Sequence, residues 1–132
     1  MFDQLVRSKG VNTMVQQSQR SRANSLRQSR FIPAVEYIQA NRARRLLIEE
    51  IHQLFTDYDV IIAPTFGRQL LITNLTGHPV VTVPTGLDNH GRPTSITFIG
   101  NLYDEGAILA FANAFQQQTE FDEMHPPLFI PD

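Results

Sequence analysis

The stretch ITNLTGHPVVTVPTGL, residues 72–87, decides how this chain is read. It sets a β-branched run between Pro79 and Pro84 and offers no evident nucleophile, base or metal ligand. Proline cannot donate to a β-ladder, so the two prolines predict where a strand begins and ends. Val80, Val81 and Val83 make that strand apolar on both faces, as expected deep in a helix-covered sheet. Just before it, Leu70, Leu71 and Leu75 allow a helix of two turns within 67–77, with Gly77 as its left-handed C-cap. Just after it, TGLDNHGRP (85–93) reads as a loop and TSITFIG (94–100) as a second strand, giving an antiparallel hairpin of 80–83 with 94–99.

Further out, DVIIAPT (59–65) is four apolar residues stopped by Pro64 and predicts a short buried strand. FIPAVEYIQANRARRLLIEEIHQLFTDY (31–58) opens with Pro33, which suits a first helical turn. Tyr37, Ala40, Ala43, Leu47, Ile51, Leu54 and Tyr58 recur at steps of three and four, one helical face. A helix of roughly 24 residues would be about 36 Å long, fitted to lie across a sheet larger than this chain can build. At the other end, Asp104 and Glu105 begin a helix with Ile108, Phe111, Ala112 and Phe115 inward. The segment DEMHPPLFIPD (122–132) holds three prolines and predicts an extended arm. Residues 12–30 are polar, with few large apolar groups, and predict loop or frayed helix.

The 132 residues are the size of one domain, 42% apolar and 18% charged, with no cysteine. Disulfides, thiol catalysis and thiolate metal sites are therefore outside its chemistry. No run approaches a membrane span and no apolar signal core follows Met1, so a cytoplasmic protein is expected. Charge is uneven: residues 1–50 carry nine basic and four acidic side chains, and residues 51–132 carry two basic and nine acidic ones. A basic front suggests an acidic partner or, more simply, a solvated helix face and a polar lead-in. The string QSQRSRANSLRQSR has no aromatic residue for base stacking, which argues against nucleic acid.

Reacting groups are hard to find. None of Ser8, Ser18, Ser21, Ser25, Ser29 and Ser95 has a glycine neighbour, so no nucleophile elbow is encoded. His52, His78, His90 and His125 lack metal spacing. The acidic pairs Asp57/Asp59 and Asp104/Glu105 are not set in apolar sequence that would raise a carboxyl pKa. Phosphate-cradling glycine loops are absent, and Lys9 is the single lysine. No catalytic residue, cofactor or metal site is expected.

Taken together, the pieces resemble the closing portion of the amidase signature family. The series is DVIIAPT with Asp59, Pro64 and Thr65; Asn74, Gly77, Pro79, Pro84 and Gly86; the Gly91/Pro93 loop; Ile99-Gly100; then Asp104 and a last helix. It covers roughly residues 30–120, after a helix bearing Ala40-Asn41-Arg42-Ala43-Arg44. The resemblance implies a hydrolase of non-peptide amides that uses a serine nucleophile, a second serine and a lysine. Those groups precede the matched region in the family, and no residue here corresponds to them. Phe66-Gly67-Arg68 stands where glutamine-using relatives place an acidic residue, a departure that argues against that subgroup.

The expected fold is therefore α/β: a mixed sheet fragment with a long N-terminal helix, a short hairpin and a C-terminal helix, an incomplete part of a larger fold. Residues 1–30 would form a polar lead-in and 31–132 the amidase-like segment. Arg68 and Asn74 are the residues expected to face substrate in the parent enzyme, a small-molecule amide. The expected partner is the missing catalytic portion, or a second copy through self-association. The rival reading is a small interaction protein that uses its basic, Arg/Ser-bearing N-terminal segment.

Overall fold

The computed structural model describes residues 2–125; the extended arm expected at 122–132 lies mostly outside them. The chain divides into two compact units, and the division falls inside a long helix, between Ala43 and Arg44.

The first unit is helical. Helix α1 is Asp3–Arg7, a 3-10 turn follows at Gly10–Thr13, and α2 is Arg22–Gln28. Residues 12–30 thus hold more order than their polarity suggested. Val11, Ala23 and Leu26 are buried together, flanked by Val6 and Met14. Polar side chains do the rest: Ser21 caps α2 by accepting from the Asn24 amide at 3.3 Å, and Arg27 donates to Asn12 at 2.7 Å and to Gln17 at 3.0 Å. These bonds satisfy the helix end and fix the turn that three small apolar residues alone could not hold.

Helix α3, Ala34–Asp57, has the 24 residues that the sequence predicts. None of them is buried. The expected inner stripe is corrected along most of its length: Leu47 and Ile51 are half-buried, joined by Phe55, whereas Tyr37, Ala40, Ala43, Leu54 and Tyr58 are exposed. The reason is tertiary. Phe55 stacks on His78, with ring centroids 5.2 Å apart and planes at 15°, so the helix turns that side inward.

In the second unit, strands β1 (Val60–Pro64), β2 (Val80–Leu87) and β3 (Pro93–Gly100) form one sheet in the order β1-β3-β2. Both pairings are antiparallel, with Ile62 opposite Phe98 and Thr82 opposite Thr97; within this segment the sheet is antiparallel rather than mixed. β3 is the central strand, so β1 and β2 are edges, not buried strands: Ile62 is 55% and Val80 43% exposed. β2 also runs past Pro84 instead of ending there. The register shifts between Pro84 and Gly86, and a bulge on an edge strand is where the ladder tolerates a missing N–H. The hairpin loop shrinks to 88–92, pinned by Asp88, whose carboxylate accepts from the His90 and Arg92 amides at 2.8 and 2.9 Å. The Arg92 side chain also bonds that carboxylate and holds its pKa below the usual carboxylate range.

Helix α4, Gln69–Thr76, ends as predicted: Gly77 has φ 84°, and its amide donates to the Thr73 carbonyl at 2.8 Å. Helix α5, Glu105–Gln117, starts after Asp104, but Asp104 makes no side-chain cap bond. Its Ile108 and Ala112 are buried. Phe98 is the centre of this packing, edge-on to Phe111 at 4.9 Å and to Phe115 at 5.6 Å, beside buried Val83 and Ala112. Glycine is required at Gly100 because a Cβ there would collide with Ile108 Cγ2.

Candidate functional site

Alternation along the strands gives the sheet two faces. Ile96, Phe98, Val81 and Val83 point to the α5 side. The opposite face carries Ile61 and Ile99 at one end and hydroxyls at the other. Thr82 and Thr97 oxygens are 2.9 Å apart, Thr65 and Ser95 oxygens 2.8 Å apart, and Thr97 donates to Thr65 at 3.5 Å. Thr97 is buried, while Thr82 and Ser95 are exposed. Ser95 therefore bonds another hydroxyl, not a base, and no nucleophile–base pair involving it is formed. Single-sequence reading missed this row because it depends on cross-strand register, in which a slip of one residue sends every side chain to the other face.

At the Ile61/Ile99 end, α3 and α4 flank a half-open pocket of about 150 Å³. Its walls include Ile51, Phe55, Ile61, Ile72, His78 and Ile99. His78 is only 4% exposed. It follows the glycine C-cap of α4, and that reversal turns its ring inward. Nδ1 lies 2.8 Å from Thr76 Oγ1. Burial holds the imidazole pKa below its ordinary value, and His52 adds a smaller like-charge effect. Among the described residues Nε2 is buried with no hydrogen-bond partner.

Arg68 immediately precedes α4 and Asn74 lies within it; both are exposed. Neither is among the residues that wall this cavity. Arg44, on α3, donates to the Leu75 carbonyl near the end of α4, a tie that the sequence did not disclose. His90 is exposed on the hairpin and does not join His78. Among the described residues, no cluster of His, Asp or Glu could hold a metal ion, and no helix is long and apolar enough to cross a membrane.

No family model matches the chain. It is similar to a glutamyl-tRNA(Gln) amidotransferase subunit from Carboxydothermus hydrogenoformans, 34% identical over 112 residues, and to its counterpart from Bordetella petrii, 32% identical over 111 residues. These matches cover 70% and 68% of this chain but only 23% and 22% of the relatives, so the chain spans about a quarter of their length. The departure at Phe66-Gly67-Arg68 thus does not set the chain apart from the amidotransferase relatives as a group. Among solved structures, an amidase family protein from Bacillus anthracis str. Ames superposes with a TM-score of 0.67 at 20% identity, over 80% of this chain and 21% of that one. That likeness concerns the fold. The motif series, the relatives and the shared fold agree, and the chain belongs to the amidase signature family, of which it represents a C-terminal segment.

Proposed function

We propose that this segment is a scaffold for amide hydrolysis and not its chemical centre. In the parent enzyme it would form one wall of the cavity in which a non-peptide amide C–N bond is cleaved. The attacking serine, its serine partner and the lysine come from a portion outside the matched region. One observation carries this reading: the chain matches about a quarter of its relatives' length, while Ser95, the single serine on the sheet, has its hydroxyl against that of Thr65. Oxyanion donors and an activated nucleophile supply most of the rate in acyl transfer, and a wall without them binds and positions.

On this reading Arg68 and Asn74 face substrate in the complete enzyme; their exposure at and within α4 supports that role. Residues 1–30 serve as a lead-in and 31–132 as the amidase-like segment. The partner is the missing catalytic portion, with self-association of the chain in its absence, and the compartment is the cytoplasm. The test is hydrolysis of a panel of primary and aryl amides by the purified chain. Turnover should stay at background, with Ser95→Ala making no difference. Turnover that Ser95→Ala abolishes would overturn the proposal.

A further inference from the structure

Strand β1 carries an inference that rests on the scaffold reading and sharpens it. In an antiparallel ladder, successive residues turn their N–H and C=O groups to alternate sides. The Gly100 amide donates to the Pro79 carbonyl at 3.0 Å, so Gly100 faces β2. Alternation then faces Ile99 and Thr97 to β1, where their register partners are Ile61 and Ala63. Val60, Ile62 and Pro64 therefore present their backbone groups to the free side of this edge strand. Pro64 agrees with this, since its carbonyl accepts from the Gln69 side chain. Val60 and Ile62 are left with two donors and two acceptors that no strand of this sheet meets.

The two edges of the sheet differ. By the same alternation Val80 and Thr82 face outward on β2, but that strand is distorted by the bulge between Pro84 and Gly86, and Phe121 and Met124 lie against Gly86. Bulges and covering segments protect an edge from further pairing. β1 pairs with β3 without a break. It carries no charge, and its one proline, Pro64, is its last residue. Ile62 is exposed, as is Phe66 just beyond the strand. Leu54, Tyr58, Val60 and Ile61 line a shallow hollow beside it. Open backbone groups flanked by apolar surface suit an added strand, with main-chain hydrogen bonds for affinity and side-chain contacts for specificity.

We propose that β1, and not β2, is the edge on which a strand of the missing catalytic portion pairs, continuing the sheet from one part of the parent enzyme into the other. The occupant follows from length: the chain spans about a quarter of its relatives, so most of the parent enzyme lies outside it and has to meet this segment somewhere.

The test co-expresses the full chain with an amidase-signature enzyme lacking the matching C-terminal quarter, and follows amide hydrogen exchange. In the co-purified complex, exchange at the Val60 and Ile62 amides should slow at least tenfold relative to the chain alone, while Val80 and Thr82 change less than twofold. Ile62→Pro removes the outward donor and spares the β1–β3 ladder, a substitution that edge strands tolerate. It should cut the co-purified yield at least tenfold, and Val80→Pro should leave the yield within twofold. Should Ile62→Pro fail to fold, the wild-type exchange pattern decides the matter. Failure of the wild-type parts to associate would overturn this proposal and the scaffold reading together. Association that leaves Val60 and Ile62 exchange unchanged, that slows Val80 and Thr82 instead, or that finds β1 already protected in the chain alone by a second copy would overturn this proposal only.

Discussion

Single residues set the geometry of the second unit. Gly77 ends α4 with φ 84° and hands the chain to His78 and then to β2. A side chain in that left-handed region costs about 1 kcal/mol, so Gly77→Ala should lower the urea midpoint accordingly without changing the denaturant slope. His78 makes stability depend on pH. Its folded pKa is depressed below the ordinary 6.5, chiefly by burial, so near and below that pH the unfolded chain binds the extra proton. Its contribution is fully present above pH 6.5 and is lost as pH falls through the depressed folded value. Urea denaturation between pH 7.5 and 5 should show stability falling with pH, and a flat profile would remove His78 from this role.

At the scale of elements, packing on Phe98 joins the central strand to α5. Phe98 is 1% exposed, whereas Phe111, which meets its ring edge-on, is 41% exposed. Phe98→Ala should cost about 3–5 kcal/mol and Phe111→Ala clearly less, as read from urea midpoints; equal losses would contradict the packing described. Much of this was legible in sequence. The span of α3, the two turns of α4 with their glycine cap, the hairpin and the inward Ile108, Ala112 and Phe115 of α5 follow from local periodicity and from residues with restricted dihedrals, whereas Phe111, also expected inward, is exposed. What was not legible depended on partners distant in sequence. The choice of Phe55 over Leu54 needed His78, and the course of β2 beyond Pro84 needed its place at a sheet edge. The hydroxyl row needed the register of three strands. The bond from Arg44 to the Leu75 carbonyl joins residues 31 positions apart. Of the site, sequence reading gave His78 no place because a lone histidine carries no spacing signal.

At the scale of the whole molecule, a large apolar surface is left open. Phe66 is 88% exposed and Leu71 66%, Ile62 and Val80 stand on uncovered edge strands, and α3 buries none of its residues. Exposed apolar groups in such number, with unpaired strand edges, are the signature of a surface that another chain covers. A helix of 24 residues beside a sheet of three short strands is likewise out of proportion. Both features fit a segment matching about a quarter of its relatives. The most direct measurement is complementation: an amidase-signature enzyme lacking the matching C-terminal quarter is co-expressed with this chain, and co-purification and amide hydrolysis are assayed. Each part alone should be inactive, and the pair should co-purify and turn over substrate. Amide hydrolysis by this chain alone, or a chain that stays a monodisperse monomer and leaves the truncated enzyme inactive, would contradict the account.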